Sequence, residues 1–436
     1  MNYKIVKNLA NNKFARNSLI LFIGVMIANF FGYLFHLVIG RMVGVEVYGE
    51  VESLTAVIGI ISIPTAALSM VATKYSSCSK AEDDPSSTLS LFKYLNKKVI
   101  TYGLPFFILA LLLTPFFKNF LKIESSLAII IIWISMLLSF FASITGGILA
   151  GWQKFYASSV ATVLGSIIKL ISVIVLILLG FRLVGIMGSF ALGVAVSYGV
   201  TFFYIKFIFK SQNGKSDIWQ KITQLIPVKK YVLPVFFGNL SIAILGNIDM
   251  VLAKHNLSPF EAGQYGALTI VSKIIFFATG SLATVLFSMS AERAHKNNDS
   301  MRIFKYAFAL IILACIVAII IYFVFPEFIL GMLFGNKYAD ISGYLGWFAI
   351  LASCFSIANL MSFYLLSVHH LKFVYSYLII SILATIILLF VGKTISAILE
   401  IMIAAQILTV FLGFYSVLKT RKRHAEIDIN YSPGLQ

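Results

Sequence analysis

Twelve apolar runs, each of roughly 20 residues or more, leave this chain little choice of fold. They fall at 18–40, 48–73, 99–117, 126–150, 157–180, 183–208, 231–253, 264–290, 304–325, 342–367, 373–392 and 395–417. A helix of about 20 residues covers about 30 Å, the hydrocarbon thickness of a bilayer. Within a bilayer, only helices and closed barrels satisfy every backbone amide. The chain is 60% hydrophobic and 12% charged, with a mean hydropathy of +0.94, which is more apolar surface than a water-soluble fold hides. The expectation is therefore an all-α integral membrane protein. The polar, basic start from Met1 to Arg16 and the absence of a small-residue cleavage site argue against a secretory signal. Cys315 and Cys354 sit in apolar runs and Cys78 stands apart, a pattern of packing residues and not of disulfides or metal ligands.

A net charge of +17 can mark a nucleic-acid partner, but here the cations flank apolar runs instead of crowding one soluble domain. With the N-terminus inside, 25 of the 34 Lys and Arg residues fall on inner segments and 7 on outer ones. That asymmetry predicts a multi-pass protein of the cell (plasma or inner) membrane with both termini cytoplasmic. The longest stretch without apolar character, Ser211 to Lys230, separates the sixth and seventh runs. Six runs per half is an even number, so both halves enter from the same side and form parallel repeats. The expected organisation is a six-helix lobe over 1–210, a linker over 211–230, a second six-helix lobe over 231–418 and a basic tail over 419–436.

The halves also share a segment. Val38-Ile-Gly-Arg41-Met-Val-Gly-Val-Glu-Val-Tyr48-Gly49 joins the first two runs of one half. Val251-Leu-Ala-Lys254-His-Asn-Leu-Ser-Pro-Phe-Glu-Ala-Gly-Gln-Tyr265-Gly266 does so in the other. With Gly-Arg41-x-x-Gly, Glu-Val-Tyr48-Gly49, Pro234, Asn239, Asp249 and Gln-Tyr265-Gly266, the chain resembles the polysaccharide (O-antigen type) flippases over about 1–418. These belong to the multidrug/oligosaccharidyl-lipid/polysaccharide exporter superfamily. The resemblance implies two lobes surrounding a central cavity, and a transporter that moves a polyprenyl-pyrophosphate-linked oligosaccharide from the cytoplasmic to the outer leaflet by rocking them. It also implies a polysaccharide polymerase and chain-length machinery as partners, a monomer, and no cofactor beyond H+ or Na+ coupling.

Ionisable groups at membrane depth are costly and default to functional candidates. Lys169 lies midway along the fifth run, too central to reach an interface easily, and Lys273 lies in the eighth. Both are expected to attract a pyrophosphate or acidic sugar; the bland reading is a buried lysine held by a carboxylate or by helix-end carbonyls. Asp249 stands late in the seventh run. Setting Arg41 against Lys254 offsets the copies by 213 residues and puts His36 opposite Asp249. These two titratable positions suit proton or sodium coupling; an Asp249–Lys254 or Asp249–Lys273 ion pair is the structural alternative. Arg41 and Lys254 read as outer-interface residues, serving as anchors or as gates pairing with Glu50, Glu52 or Glu261. Tyr48-Gly49 and Tyr265-Gly266 read as fixing helix starts, with the tyrosines at the interface. Pro64, Pro105 and Pro234 lie inside runs, where proline can kink a helix. Gly146-Gly147-Ile-Leu-Ala-Gly151 reads as a small-residue packing face.

Two other readings compete. One is a proton- or sodium-coupled multidrug or metabolite exporter of the same superfamily; its cationic cargo calls for acidic groups at membrane depth, where this chain places two lysines. The other is a membrane polysaccharide polymerase or glycosyltransferase. No H-E-x-x-H, G-x-S-x-G or Walker pattern occurs, so neither an enzyme nor a catalytic or metal site is expected.

Overall fold

The computed structural model describes residues 13–210, 233–295, 301–368 and 373–430. Among them every regular element is helical. The chain divides into two compact units, Met1–Pro227 and Val228–Gln436. The expected linker at 211–230 lies outside the described residues.

The first unit runs α1 (Lys13–Met42), α2 (Val45–Ile61), α3 (Ile63–Ala81), α4 (Pro85–Lys98), a π-helical turn (Val99–Gly103), α5 (Leu104–Leu112), α6 (Thr114–Phe120), α7 (Ser126–Gly151), α8 (Phe155–Leu178) and α9 (Arg182–Tyr204), then a 3₁₀ turn (Lys206–Lys210). The second runs α10 (Leu233–Leu245), α11 (Ile248–Asn256), α12 (Pro259–His295), α13 (Met301–Val324), α14 (Pro326–Phe334), a 3₁₀ stretch (Asn336–Tyr344), α15 (Leu345–Ser367), α16 (Phe373–Val391) and α17 (Ile395–Asn430).

Nine described helices are long and apolar enough to cross a membrane, and two bent pairs raise the number to eleven. The expected span 264–290 falls in α12, whose side chains beyond 280 lie outside the description. Lipid contact explains the many large apolar residues left on the surface, such as Leu112, Leu178 and Phe390.

The bent pairs correct two expected spans. The run 48–73 breaks by 43° between α2 and α3. Pro64 has no N–H to give, and Ser62 and Thr65 spend their hydroxyls on the carbonyls of Gly59 and Ser62. The run 231–253 breaks by 41° between α10 and α11. Pro234 is not the cause, because it lies in the first turn of α10, where a proline costs nothing. The break is at Gly246-Asn247. A side chain on Gly246 would meet the Phe355 ring at 2.7 Å. Asn247 bonds its own helix through Ala243 O at 2.9 Å, competing with the backbone.

Two boundaries also differ from the sequence expectation. The third span begins at Pro85, not near 99, because Asp84 caps the helix there and Leu91 and Leu95 bury an amphipathic stripe. The last helix continues to Asn430, beyond the apolar run, since Lys-Thr-Arg-Lys-Arg-His-Ala-Glu contains no helix breaker.

The glycine face of α7 packs as expected. An added Cβ on Gly147 would lie 2.6 Å from Ser69 O of α3, and one on Gly151 would lie 2.6 Å from Thr73 O. Gly146 faces open space.

Candidate functional site

Among the described residues, each unit has a buried polar cluster where its first span meets its second. In the first unit, Phe35 and His36 come from α1, Glu52 from α2, Lys169 from α8 and Phe190 from α9. His36 Nδ1 lies 2.7 Å from Glu52 Oε1, and the side chains are 12% and 4% exposed. The Lys169 ammonium sits 4.1 Å from the Phe35 ring centre and 4.6 Å from that of Phe190. Those two rings meet edge to face at 5.1 Å. Aromatic faces attract a cation without neutralising it. Among the described residues the ammonium makes no hydrogen bond or ion pair, so the expected carboxylate or carbonyl partner is replaced by two rings. Glu52 acts on it only through its field. Gly193 of α9 makes room for the lysine stem, because a Cβ there would sit 3.0 Å from Lys169 Cβ.

In the second unit, Asp249 on α11 is buried and its Oδ2 accepts a hydrogen bond from the Tyr265 hydroxyl of α12 at 2.9 Å. Tyr265 is fully buried and packs edge-on against Phe348. Lys273 Nζ donates to Asn247 Oδ1 at 3.3 Å. Gln406 of α17 donates to Leu245 O at 3.3 Å, the carbonyl at the end of α10. A cavity of about 30 Å³ lies among Leu245, Asp249, Thr269, Ser272, Lys273 and Gln406. Asp249 Oδ1 and Gln406 Oε1 are buried and, among the described residues, accept no hydrogen bond. Two open oxygens in a space of that size suit one water or one small cation. The broken helix is what brings Leu245, Gly246 and Asp249 onto the same wall.

Several sequence readings change. Tyr48 and Tyr265 are not interfacial; both are wholly buried, and Tyr265 holds Asp249. Glu50 and Glu52, expected as gating partners near the outer interface, lie inside the unit. Both are buried, and Glu50 Oε1 accepts the Glu124 N–H at 3.3 Å. Arg41 is exposed, as an interface residue would be, whereas Lys254 is 1% exposed inside its unit. The two cations of the repeat therefore occupy different surroundings. Glu261 is engaged as a helix cap, accepting from the Ser258 N–H at 3.1 Å and from its hydroxyl at 2.7 Å. Asp249 is held by the Tyr265 hydroxyl, and Lys273 donates to Asn247. Sequence reasoning missed Phe35, Phe190, Tyr265 as a hydrogen-bond donor, and Gln406. Aromatic residues and a lone glutamine in apolar runs look like packing, and only the fold shows what they touch.

The fold has known counterparts. An inward-facing multidrug resistance MATE family transporter of the MOP superfamily superposes with a TM-score of 0.72 at 15% identity, covering 96% of this chain and all of the other. An outward-facing transporter of the same kind gives 0.63 at 17% identity, covering 96% and 98%. A MOP superfamily transporter from Pyrococcus furiosus Vc1, for which a reverse polarity of the binding pocket suggests a different function, gives 0.63 at 15% identity, covering 95% of each chain. No curated protein matches the sequence. The model of the polysaccharide biosynthesis protein family matches residues 14–292. The chain thus combines the fold of the MOP superfamily with the sequence of a polysaccharide biosynthesis family, and it belongs to that family.

Proposed function

We propose that this protein flips a polyprenyl-pyrophosphate-linked oligosaccharide from the cytoplasmic to the outer leaflet, for surface polysaccharide biosynthesis. The observation that carries the reading is Lys169. A cation held between two phenyl faces, within a span and without an ion-pair partner among the described residues, keeps its charge for an anion that arrives from outside the lobe. Membership of a polysaccharide biosynthesis family supports a glycan-bearing cargo. Lys273, which donates to the neutral Asn247 on the cavity wall it shares with Asp249, is a second anion contact. Asp249, with one open oxygen in a small cavity, is the site of H+ or Na+ coupling, and His36 is the titratable position in the other lobe. Arg41 and Lys254 act at the outer gate, with the buried Glu50 and Glu52 as their acidic counterparts. The protein works as a monomer in the cell membrane by rocking two lobes about a central cavity. Its termini are cytoplasmic, and a polymerase and chain-length machinery receive the cargo.

A multidrug exporter shares the fold. The lysines at membrane depth favour an anionic cargo over the cations such pumps expel. The test is genetic and chemical: Lys169→Ala and Lys273→Ala should reduce surface glycan and accumulate lipid-linked precursor while protein levels hold. Normal surface glycan in both variants would overturn the anion-site reading. For coupling, Asp249→Asn should weaken the dependence of transport on the ion gradient; an unchanged dependence would remove Asp249 from that role.

A further inference from the structure

The cavity of the second unit is lined by oxygens whose protons are committed elsewhere. Thr269 directs its hydroxyl proton to Tyr265 O at 2.9 Å, and Ser272 directs its own to Thr269 O at 2.8 Å. Gln406 turns its amide nitrogen to Leu245 O at 3.3 Å, which fixes the amide and leaves Oε1 open, as Asp249 Oδ1 is. Gln406 and Asp249 are 1% and 5% exposed, so bulk water does not serve these two oxygens. A single trapped water can give each a proton but leaves the carboxylate charge unbalanced. A small hard cation satisfies both the oxygens and the charge. Among the described residues no three His, Cys, Asp or Glu side chains gather as metal ligands. One carboxylate with neutral oxygens around it suits a single positive charge.

The chain carries its own candidate for that charge. Of the described residues lining the cavity, Asp249 and Lys273 are the two that are charged. The Lys273 ammonium donates to Asn247 Oδ1 at 3.3 Å, at the long end of the usual range. That bond engages one of its three protons. Lys273 follows Tyr265 by about two turns on one face of α12. Helical side chains lean toward the N-terminus of their helix, and that is the side on which Tyr265 holds Asp249. A rotation about the lysine stem therefore carries the ammonium from Asn247 toward the open oxygens.

We propose that this cavity binds one sodium ion and that Lys273 is its tethered competitor. The ammonium either stays on Asn247, leaving room for the ion, or enters between Asp249 and Gln406 in its place. An anion that holds Lys273 outside the cavity removes the competitor, so anionic cargo and sodium favour each other's binding. The inference rests on the readings of Asp249 as the coupling site and of Lys273 as an anion contact, and it joins the two through one side chain.

The test measures binding of radioactive sodium to the full chain in lipid nanodiscs, at one pH, with choline chloride holding the ionic strength and empty nanodiscs as the blank. Lys273→Met keeps the stem and removes the charge; Lys273→Gln replaces it if the first does not fold. Either should bind sodium on the order of tenfold more tightly than wild type, within the usual range of coupling between two ligands. Sodium affinity equal to wild type overturns the proposal, as does the absence of sodium binding from wild type and variants alike. Lys273→Arg keeps the charge, but its planar guanidinium is too broad for a cavity the size of one water, so it should follow Lys273→Met. If it matches wild type instead, the lysine acts by its field and not by entering, and the proposal fails. Geranylgeranyl pyrophosphate should raise the sodium affinity of wild type and leave that of Lys273→Met unchanged; no rise in wild type, or an equal rise in both, overturns the link to cargo. Asp249→Asn, with Gln406→Leu as the second variant, separates the two levels. If both bind sodium as wild type does, the coupling-site reading itself fails. If they lose sodium while Lys273→Met matches wild type, only the competition fails.

Discussion

Replacing Tyr265 by Phe isolates one hydrogen bond. The ring keeps its edge-on contact with Phe348 at 5.0 Å, so packing is preserved. What goes is the hydroxyl donated to Asp249 Oδ2 at 2.9 Å. Among the described residues Asp249 Oδ1 already accepts nothing, so the variant leaves a 5%-exposed carboxylate without its protein donor. A hydrogen bond to a charged group is worth about 1.5–3 kcal/mol, and a stranded buried acceptor sits toward the upper part of that range. For a unit of roughly 200 residues, a loss of about 2 kcal/mol lowers the melting temperature by roughly 4–8 °C. The assay is thermal unfolding of the purified protein in one detergent, as a cycle with Asp249→Asn. In the Asn background the same tyrosine substitution removes a neutral bond, worth about 1 kcal/mol, so its cost should shrink by roughly half. If Tyr265→Phe lies within about 0.5 kcal/mol of its parent in both backgrounds, the tyrosine does not hold the carboxylate.

Two further substitutions test the frame around the clusters. Gly147→Ala drives a Cβ to 2.6 Å from Ser69 O, a backbone atom that cannot rotate away; it should cost about 1–3 kcal/mol, whereas Gly146→Ala meets nothing within 4 Å and should be neutral or stabilising by up to about 1 kcal/mol, both read by thermal unfolding. Asp84→Ala removes the cap that accepts the Ser86 and Ser87 amides, at a cost of about 1 kcal/mol. Hydrogen bonds from the Ser86 and Ser87 hydroxyls hold the Asp84 carboxyl below its ordinary range. A depressed folded value means the contribution is complete above the unfolded value of about 3.9 and is lost as pH falls through the folded one. The gap between wild type and variant should therefore persist down to about pH 4 and close only below it; a gap that closes by about pH 5 would contradict the capping role.

Much of the fold could be read from the sequence because a bilayer allows so few solutions. Apolar run length fixes where helices must be, and the polar stretch at 211–230 falls beside the boundary between Met1–Pro227 and Val228–Gln436. Breaks inside helices were harder. Pro64 does mark one, but Pro234 sits harmlessly in a first turn, and the break that shapes the second cluster comes from Gly246-Asn247. Of the site, the charged residues were visible because charge is rare in apolar runs. Their partners were not. Phe35 and Phe190 are two of 39 phenylalanines, and nothing in the sequence distinguishes the pair that encloses Lys169. Lys254 and Arg41 align perfectly in the repeat yet differ in burial, because alignment reports chain position and not the depth of packing.

The repeat nevertheless encodes the two clusters by one geometric rule. His36 meets Glu52 at 2.7 Å and Asp249 meets Tyr265 at 2.9 Å, and each pair is separated by 16 residues, from the first span of its lobe to the second. The backbone frame is shared while the chemistry is reversed: the carboxylate is on the second span in one lobe and on the first in the other. If the frame decides the contact, exchanging the chemistry within the first lobe should be tolerated as a pair and not singly. His36→Asp alone sets two carboxylates against each other in a buried site, at a cost of about 3 kcal/mol or more. Adding Glu52→Tyr recreates the Asp249–Tyr265 arrangement and should recover most of that loss in thermal unfolding. A double variant no more stable than His36→Asp would mean that each contact depends on its local surroundings, and that the common spacing of 16 residues does not reflect a common frame.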